Sequence, residues 1–560
     1  MKKTALLLVL VIGITIQMSS QSYKPKWGEV HKKEGGIYLS FRLLNIEDDH
    51  YNVLMRHAQK GDKILKYDMN HNLVWNKKIE LKFQGREIQL GGILKTKNGS
   101  YGYMSIMDKK SEQIEIFSGK FKDGSFSDIK ALYKHDYKAL SYMQRAYVIN
   151  TNSDLININY KALSNTQRAY LVNPNIDLIG FIQSKDKNHF VYTHSISGKD
   201  ENSEEQIGFA VFDADMNLVW DKIQKFNYTD NVLTIVQSAV SNNGEIYLLA
   251  QSTKQTNPSV SAGFPFFEYK IFRITKDNID EFEVNIGEYI SPADAILEIS
   301  EDAIPKIILT GFYSDDDRKA GYRGLFYASG DGISGIENVK THKFDKAFLE
   351  QILSEKDMEK GYGLSSNFSV KDVFTFSDGT FSFIAEEYYV TSSTSRSSVG
   401  NSVTSSTSRT SVGNSVTTTY NYGSLPTYKF HSYSIIIPRF TSEGELLNIL
   451  ELPKASIGSM DASSYVLSKY NDKLYFIFNG FKTDEERKKM KLGNRYQYAD
   501  LVVVNAKCEI EYSKPLFNNN DDIGLEFSRS ISNYSNSKIL IGRTDWKKKK
   551  YAFGVINLKQ

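Results

Sequence analysis

Phe212-Asp-Ala-Asp-Met-Asn-Leu-Val-Trp220 is the stretch that decides the fold, and Tyr67-Asp-Met-Asn-His-Asn-Leu-Val-Trp75 repeats its pattern. Asp and Asn side chains bond to their own backbone and tolerate left-handed conformations, so the polar centre of each copy indicates a tight turn. The flanking residues are β-branched or aromatic, as strands prefer. Each copy therefore predicts a strand, a tight turn and a second strand.

The fullest copy of the repeat lies in residues 232–287. Its pattern predicts four strands, named a to d in chain order, with tight turns at 241–244 between a and b and at 276–278 between c and d. A longer loop at 254–266 separates strands b and c. Four strands joined in this order form one blade of a β-propeller. Most neighbouring units are about 55–65 residues apart, a little above the usual propeller-blade period.

The two ends of the chain bear on the number of blades. The last unit, at 525–558, has strands a, b and c, and the sequence stops before strand d. A lone strand predicted at 26–31 can supply it and close the ring, which removes exposed sheet edges. With 37–79 as the first blade, we predict an all-β propeller of eight four-stranded antiparallel blades. If 37–79 is irregular, seven blades remain and 73–80 closes the ring.

The spacing of Asp68 to Trp75 and of Asp213 to Trp220 resembles the blades of quinoprotein-like, WD-like and related secreted β-propeller repeats. Those blades often carry an aspartate before the turn between strands c and d and a tryptophan after it. The resemblance implies a propeller from a bacterial exported family and a structural role for these four residues. Most other units lack the tryptophan, so we expect no quinone and no other cofactor.

The composition is that of a soluble globular chain with a hydrophobic core, with 560 residues, 41% of them apolar and 24% charged. The net charge of +3 is too small for the strong positive field of a nucleic-acid-binding protein. Cys508 is the only cysteine, so no internal disulfide forms. We expect a monomer without a nucleic-acid partner.

Residues 1–20 have the features of a signal peptide. Two lysines precede an unbroken small and apolar run at 5–16, which is too short to span a bilayer comfortably, and small residues follow it. No cysteine directly follows the run, so we do not expect a lipoprotein. We expect an exported protein, in the periplasm, at the outer surface or outside the cell. After cleavage it has no transmembrane span and a single propeller domain at 21–560.

Two tandem duplications interrupt the repeats. In the first, residues 137–147 reappear at 160–170 with few changes. They lie between the second and third blades and predict an insert at 134–182, which lengthens a connection or adds a pair of strands.

The second duplication is a Ser/Thr-rich tract in which residues 390–402 recur at 403–415 with one change. Such a composition cannot bury enough apolar surface to fold. It predicts a flexible loop at 390–428, between strands b and c of the sixth blade.

The strand order places the candidate binding residues on one face of the disc. Turns a–b and c–d are short and share one face, whereas the longer b–c loops share the other, where binding usually lies. Glu386 and Glu387 belong to the cluster at 386–389, which ends strand b of the sixth blade at that face. The other candidates lie in loops of three further blades: Asp315, Arg318, Asp484, Arg487 and Trp546.

Each candidate motif also has a simpler interpretation. Paired carboxylates are usually solvated surface charge, which is the expectation for Glu386 and Glu387. Residues 213–217 begin like a calcium loop, but the glycine and glutamate that such a loop needs are absent, so a structural turn is favoured. The glycines at 330–335 match the G-x-G-x-x-G pattern of a dinucleotide-binding loop, which needs a helix directly after it. Residues with strand character follow instead, so a turn is again favoured. The sequence therefore predicts no metal site.

The sequence favours an exported, non-enzymatic binding or scaffold protein whose b–c loops hold a polypeptide or a glycan. A second hypothesis is a carbohydrate-active propeller hydrolase or lyase, in which Glu386 or Glu387 and a facing carboxylate serve as acid and base. A third is a cell-envelope assembly factor. The sequence does not identify the ligand.

Overall fold

The computed structural model describes most of the chain from residue 23 onward. The described residues are 23, 25–32, 38–46, 50–57, 61–108, 113–136, 181–196, 204–229, 233–253, 267–287, 291–314, 321–393, 408–410, 413–415, 427–454, 456–458, 465–480, 498–518, 523–526, 537–545 and 550–558.

Blades one to four are antiparallel four-stranded sheets whose strands follow the order a, b, c, d. The strands of blade one are Tyr38–Ile46, His50–His57, Lys63–Asp68 and Leu73–Lys78. The strands of blade two are Gln89–Thr96, Gly99–Asp108, Gln113–Lys122 and Ser125–Asp136. The strands of blade three are Phe181–Gln183, Phe190–Ile196, Glu204–Phe212 and Leu218–Thr229. The strands of blade four are Leu233–Val240, Ile246–Thr253, Phe267–Ile274 and Ile279–Val284.

Blades five to seven repeat the same order. The strands of blade five are Ser291–Ile299, Lys306–Ser314, Gly324–Asp331 and Gly335–Lys343. The strands of blade six are Phe368–Thr375, Phe381–Ser393, Thr427–Phe440 and Leu446–Leu452, with the short strand Ser456–Gly458 also paired to strand c. The strands of blade seven are Tyr465–Tyr470, Lys473–Gly480, Tyr498–Val504 and Ile510–Asn518.

Blade eight joins the two ends of the chain. Its strands a, b and c are Ile523–Glu526, Lys538–Asp545 and Lys550–Asn557. Its strand d comes from the N-terminal region, where Lys26–Trp27 and then His31–Lys32 pair antiparallel with strand c. The predicted ring of eight blades, closed by the N-terminal strand, is confirmed, and the alternative of seven blades is wrong.

Among the described residues, few elements lie outside the blades. Two short helices, Lys346–Ile352 and Glu355–Glu359, precede blade six. Two short hairpins are formed by Lys82–Phe83 with Arg86–Glu87 and by Ser408–Thr410 with Gly413–Ser415. The second hairpin lies in the Ser/Thr-rich tract, where the composition predicts no structure. Over the part of the chain that is described, no helix has the length and apolarity to cross a membrane.

The core consists of side chains packed between neighbouring blades, so the central strands are buried on both faces. In blade four, Leu249 and Ile271 pack against Leu297 and Leu309 of blade five, and all four are buried. Strands a of neighbouring blades contact one another, which makes strand a the innermost strand of each blade. Both faces of a central strand must therefore be apolar, unlike those of a strand with one face in water.

The aspartates of the two sister stretches form the same turn. In blade three, Asp213 Oδ1 accepts hydrogen bonds from the backbone N–H groups of Asp215 at 2.9 Å and Asn217 at 2.8 Å, and its Oδ2 accepts one from the Asn217 amide. Asp68 makes the equivalent three bonds in blade one. The fourth residue of each turn has a left-handed backbone, with φ of 59° at Met216 and 66° at His71. The turn prediction is therefore confirmed.

Strand d of several blades contacts the c–d turn of the next blade. Trp75 of blade one packs where a Cβ on Gly124 would come within 1.9 Å of its ring, so the next turn needs a glycine there. Side-chain nitrogens of strand d donate to backbone carbonyls of the following turn in five blades: Lys77 to Asp123, Lys130 to Asp215, Lys222 to Asn278, Asn338 to Glu443 and Asn448 to Cys508.

Candidate functional site

The candidate site is built on a β-bulge in strand a of blade six. Strand a carries one extra residue opposite strand b in blades two, four, five and six, at Gly91, Val236, Ala293 and Lys371 respectively, and two such residues in blade one, Leu39 and Leu44. A bulge bends the strand and redirects side chains. The other four blades place small or apolar residues at these bulges, whereas blade six places a lysine.

The residue after the bulge reaches the neighbouring blade. The Gln237 amide donates to the Leu297 carbonyl at 2.8 Å and accepts from the Leu297 N–H at 2.7 Å. Asp294 Oδ2 accepts from the Val370 N–H in blade six at 2.8 Å. Asp294 therefore contacts the residue that precedes Lys371, and it is buried between the two blades.

Four side chains form a buried polar cluster inside blade six. Glu386 and Lys454 are 0% exposed at their side chains, and Lys371 is 15% exposed. The Glu386 carboxylate accepts from both ammonium groups and from the Ser432 hydroxyl, and Lys454 also donates to Ser432. Lys454 follows strand d, so this cluster fixes the connection from blade six to blade seven.

The cluster shifts the protonation equilibria of its members. Burial alone would raise the pKa of Glu386, but the ammonium groups of Lys371 and Lys454 outweigh it and hold that pKa below its usual range. Burial lowers the pKa of Lys454 although Glu386 opposes the shift. Burial raises the pKa of Asp294 to about 6, against hydrogen bonds from Val370 and Ser369.

The expectation that Glu386 is solvated surface charge is wrong, because strands a and c and the segment after strand d enclose it. Glu387, the next residue, is half-buried. An ionised carboxylate held by two ammonium groups has no proton to donate and is a weak base. Glu386 therefore does not suit the acid or base role in glycosidic chemistry.

Aromatic side chains surround the cluster on the b–c face. The Tyr389 and His431 rings stack with centroids 4.5 Å apart and planes 8° apart, and the Tyr389 hydroxyl donates to that of Tyr433 at 3.3 Å. Lys371 Nζ lies 5.2 Å from the centre of the Tyr388 ring. The Tyr389–His431 and Tyr389–Tyr433 contacts link strands b and c where they leave the disc.

Strands b and c of blade six extend beyond their neighbours. They contain 13 and 14 residues, whereas strands a and d contain 8 and 7. Strand b therefore continues past residue 389, and strand replaces loop at both ends of the predicted insert at 390–428. The cause is continued pairing with strand c as far as Ser393 and Thr427. We call the ribbon formed by 388–393 and 427–432 the arm.

The remaining predicted binding residues fall outside the described ranges: Asp315, Arg318, Asp484, Arg487 and Trp546. The turns of Asp68 and Asp213 lie at the opposite face from the arm. Among the described residues, no three His, Cys, Asp or Glu side chains come together as metal ligands.

Sequence reasoning did not identify Lys371, Lys454 or Asp294. The sequence signal was that Lys371 precedes the predicted a–b turn of blade six and so lies in its inner strand, where a charged side chain is unusual.

No protein-family model matches the sequence, and no curated protein matches it. Among solved structures, the β-propeller domain of the Trilobed protease from Pyrococcus furiosus aligns with 86% of this chain and all of its own, at 9% identity and a TM-score of 0.33. The WD40 domain of SCAP from fission yeast aligns with 96% of this chain and 99% of its own, at 10% identity and a TM-score of 0.36.

Prolyl oligopeptidase B from Galerina marginata aligns with 94% of this chain at 10% identity and a TM-score of 0.36, but with only 56% of its own length. This chain thus spans little more than half of that enzyme. Such distant similarities carry no argument about activity. The eight antiparallel four-stranded blades themselves identify the chain as an eight-bladed β-propeller.

Proposed function

We propose that this propeller is an exported, non-enzymatic binding protein that holds a polypeptide on the face of the b–c connections, beside blade six. The observation that carries the proposal is the arm, which extends strands b and c of one blade beyond the disc at that face. A rigid scaffold with one elaborated face is a common arrangement for binding.

The opposite face supports this choice because its short turns bind mainly to one another. The Asn242 side chain accepts from the Asp186 N–H of blade three at 3.2 Å. The Asn243 amide donates to the Ala303 carbonyl of blade five at 2.9 Å. Groups engaged in such links are less available to a ligand.

The hydrolase hypothesis is less favoured because Glu386 is enclosed and charge-paired. The assembly-factor hypothesis is a special case of polypeptide binding, since such a factor must hold other envelope proteins. Export rests on residues 1–20 and is tested by the N-terminal sequence of the mature protein from the cell envelope or medium.

The experiment blocks one face at a time. Cys508 is buried, and burial raises the pKa of its thiol to about 12, so it will not compete with an introduced cysteine for a maleimide. Tyr362→Cys places a thiol near the b–c face, at a residue 37% exposed, and Ile333→Cys places one in a c–d turn, at a residue 64% exposed. Each variant is coupled to polyethylene glycol-maleimide.

Binding partners are first captured from envelope extract, identified by mass spectrometry and purified, and a glycan array is probed in parallel. We expect the polymer at position 362 to weaken binding of the purified partner at least tenfold and the polymer at 333 to leave it unchanged. Equal effects, or binding only to glycans, would contradict the proposal.

A further inference from the structure

Among the described residues, one edge of the arm in blade six has no strand partner. Strand a pairs with strand b only as far as Phe368 opposite Glu387, and the Tyr388 N–H then donates to the Asn367 carbonyl at 3.0 Å. Beyond that point, strand b pairs with strand c alone, from Tyr389 opposite His431 to Ser393 opposite Thr427. Across the described ranges, no strand pairs with 390–393 on the other side.

The alternation of a strand fixes which backbone groups face outward. Because the Tyr388 N–H points toward strand a, the N–H and C=O groups of Val390 and Ser392 point to the same side, while those of Thr391 face strand c. The outer edge of the arm therefore presents backbone donors and acceptors in strand spacing.

The opposite edge of the arm, formed by strand c, has a strand partner at its base. The short strand Ser456–Gly458 pairs with Phe430–Ser432 on strand c and covers its base. The chain thus supplies a cover for one edge and, among its described segments, none for the other.

The sequence of the open edge lacks the usual protection. Proteins discourage edge-to-edge pairing with charged side chains, proline or bulges. Strand d, the outer edge of each blade, follows this rule: Lys78 in blade one, Lys225 in blade three, Glu281 in blade four and Lys514 in blade seven are examples. Residues 388–393 read Tyr-Tyr-Val-Thr-Ser-Ser, which contains neither charge nor proline and favours a strand.

We propose that a partner polypeptide adds an extended segment to this edge and becomes a further strand of blade six. The inference rests on the proposed function and adds to it the class of ligand and the mode of recognition. Backbone hydrogen bonds provide the affinity of such strand addition, and alternate side chains provide the specificity.

The alternating backbone N–H and C=O groups of the edge favour a peptide over a glycan as the ligand. An extended peptide offers the matching alternation of N–H and C=O groups, which a glycan lacks. Because the edge carries no charge, the segment that fits is itself uncharged and rich in β-branched or aromatic residues. Four residues on the edge accommodate a segment of about four to six residues at 3.3 Å per residue.

The test uses the full mature chain as bait for a phage-displayed library of random ten-residue peptides. We expect uncharged peptides rich in Val, Ile, Thr and Tyr to be enriched. Binding of a selected synthetic peptide should slow amide exchange at Val390 and Ser392, because their outward N–H groups become hydrogen-bonded.

Variants separate the edge from the rest of the arm. Ser392→Pro removes one outward donor, and Ser392→Lys adds the protective charge without touching the backbone. Each should weaken peptide binding at least tenfold. Thr391→Val is the matched control because its backbone faces strand c, and it should leave binding unchanged.

Other outcomes are also decisive. Enrichment of no peptide, or peptides whose binding survives both Ser392 variants, would overturn the inference. Self-association of the wild type that Ser392→Lys abolishes would assign the edge to a second copy of this chain instead. If the polymer at 362 blocks a natural partner while the Ser392 variants still bind it, the face binds but the edge is not used.

Discussion

At the scale of single residues, the shared carboxylate of Glu386 governs the stability of blade six. Glu386→Gln leaves the Lys371 and Lys454 ammonium groups buried without the charge that both contact. Breaking a buried ion pair by removing one partner typically costs about 3–5 kcal/mol. We expect a loss of this size in the free energy of unfolding, measured by urea denaturation with tryptophan fluorescence.

The control for Glu386 is a surface pair. Glu80 contacts Lys78 at 2.8 Å, but both side chains are more than half exposed, so Glu80→Gln should change stability little. The double variant Glu386→Gln, Lys454→Met should recover part of the loss, because the second change removes a charge that lost its partner. Strictly additive losses would contradict the ion-pair interpretation.

Asp294 makes stability depend on pH in the direction opposite to an ordinary aspartate. Burial raises its pKa from 3.8 to about 6. Between about pH 3.8 and pH 6, the folded state therefore binds the proton more tightly than the unfolded state does. Stability therefore falls as pH rises through this window, by about 3 kcal/mol at 1.36 kcal/mol per pKa unit.

Asp294→Asn removes this dependence, because an amide does not titrate. We expect the variant to gain stability relative to the wild type by up to about 3 kcal/mol between pH 4 and pH 7, measured by urea denaturation at both values. Asp331, which is only half-buried and whose pKa is lowered by hydrogen bonds from Ser334 and Ile333, is the control. Asp331→Asn should show little relative change over the same range, and equal behaviour of the two variants would refute the assignment.

At the scale of elements, the Asp turn stabilises each strand c–strand d hairpin. Asp213→Ala removes the acceptor of two backbone N–H groups and one amide. Each such hydrogen bond contributes roughly 0.5–1.5 kcal/mol, so for three bonds we expect a loss of about 1.5–4.5 kcal/mol. Asp68→Ala repeats the experiment in blade one and should cost a similar amount. Asp213→Asn retains one oxygen and should cost less, as thermal unfolding of the four proteins will show.

The sequence could predict the elements whose conformation depends on residues close together in the chain. The turns at 213–217 and 330–335 depend on residues inside the turn, and the strand-d role of 26–31 followed from counting strands. The bulge at Lys371 and the enclosure of Glu386 depend on partners such as Lys454, which is distant in sequence. A single sequence carries no signal for such pairing, so a pair of adjacent glutamates could be interpreted only as surface charge.

At the scale of the whole molecule, the ring depends on one short seam. Blade eight obtains its outer strand from Lys26–Trp27 and His31–Lys32, far shorter than strand d of the other blades. The seam is also where the N-terminal segment meets the turn of blade one. A Cβ on Gly28 would lie 2.2 Å from the His71 Cβ, so only glycine allows this approach.

His71 makes this seam sensitive to acid. Its imidazole is 1% exposed, and Nδ1 lies 3.1 Å from the Tyr51 hydroxyl. Burial lowers its pKa to about 4; Asp68 opposes the shift, and Lys26 and Lys538 add to it. Between about pH 6.5 and pH 4, the unfolded state binds a proton at His71 more readily than the folded state does. The stability that neutral His71 contributes at pH 7 is therefore lost as the pH falls through that range.

The acid sensitivity attributed to His71 can be tested by comparison with the turn at 213–217 in blade three. That turn has the buried Met216 at the position that His71 occupies in blade one. We expect His71→Met to reduce the loss of stability between pH 7 and pH 4 and to slow amide exchange of residues 26–28 at pH 4.5. Met216→His should introduce a comparable acid sensitivity into blade three, measured by thermal unfolding at both pH values. If residues 26–28 exchange equally fast at pH 4.5 in the wild type and in His71→Met, protonation of His71 does not open the ring.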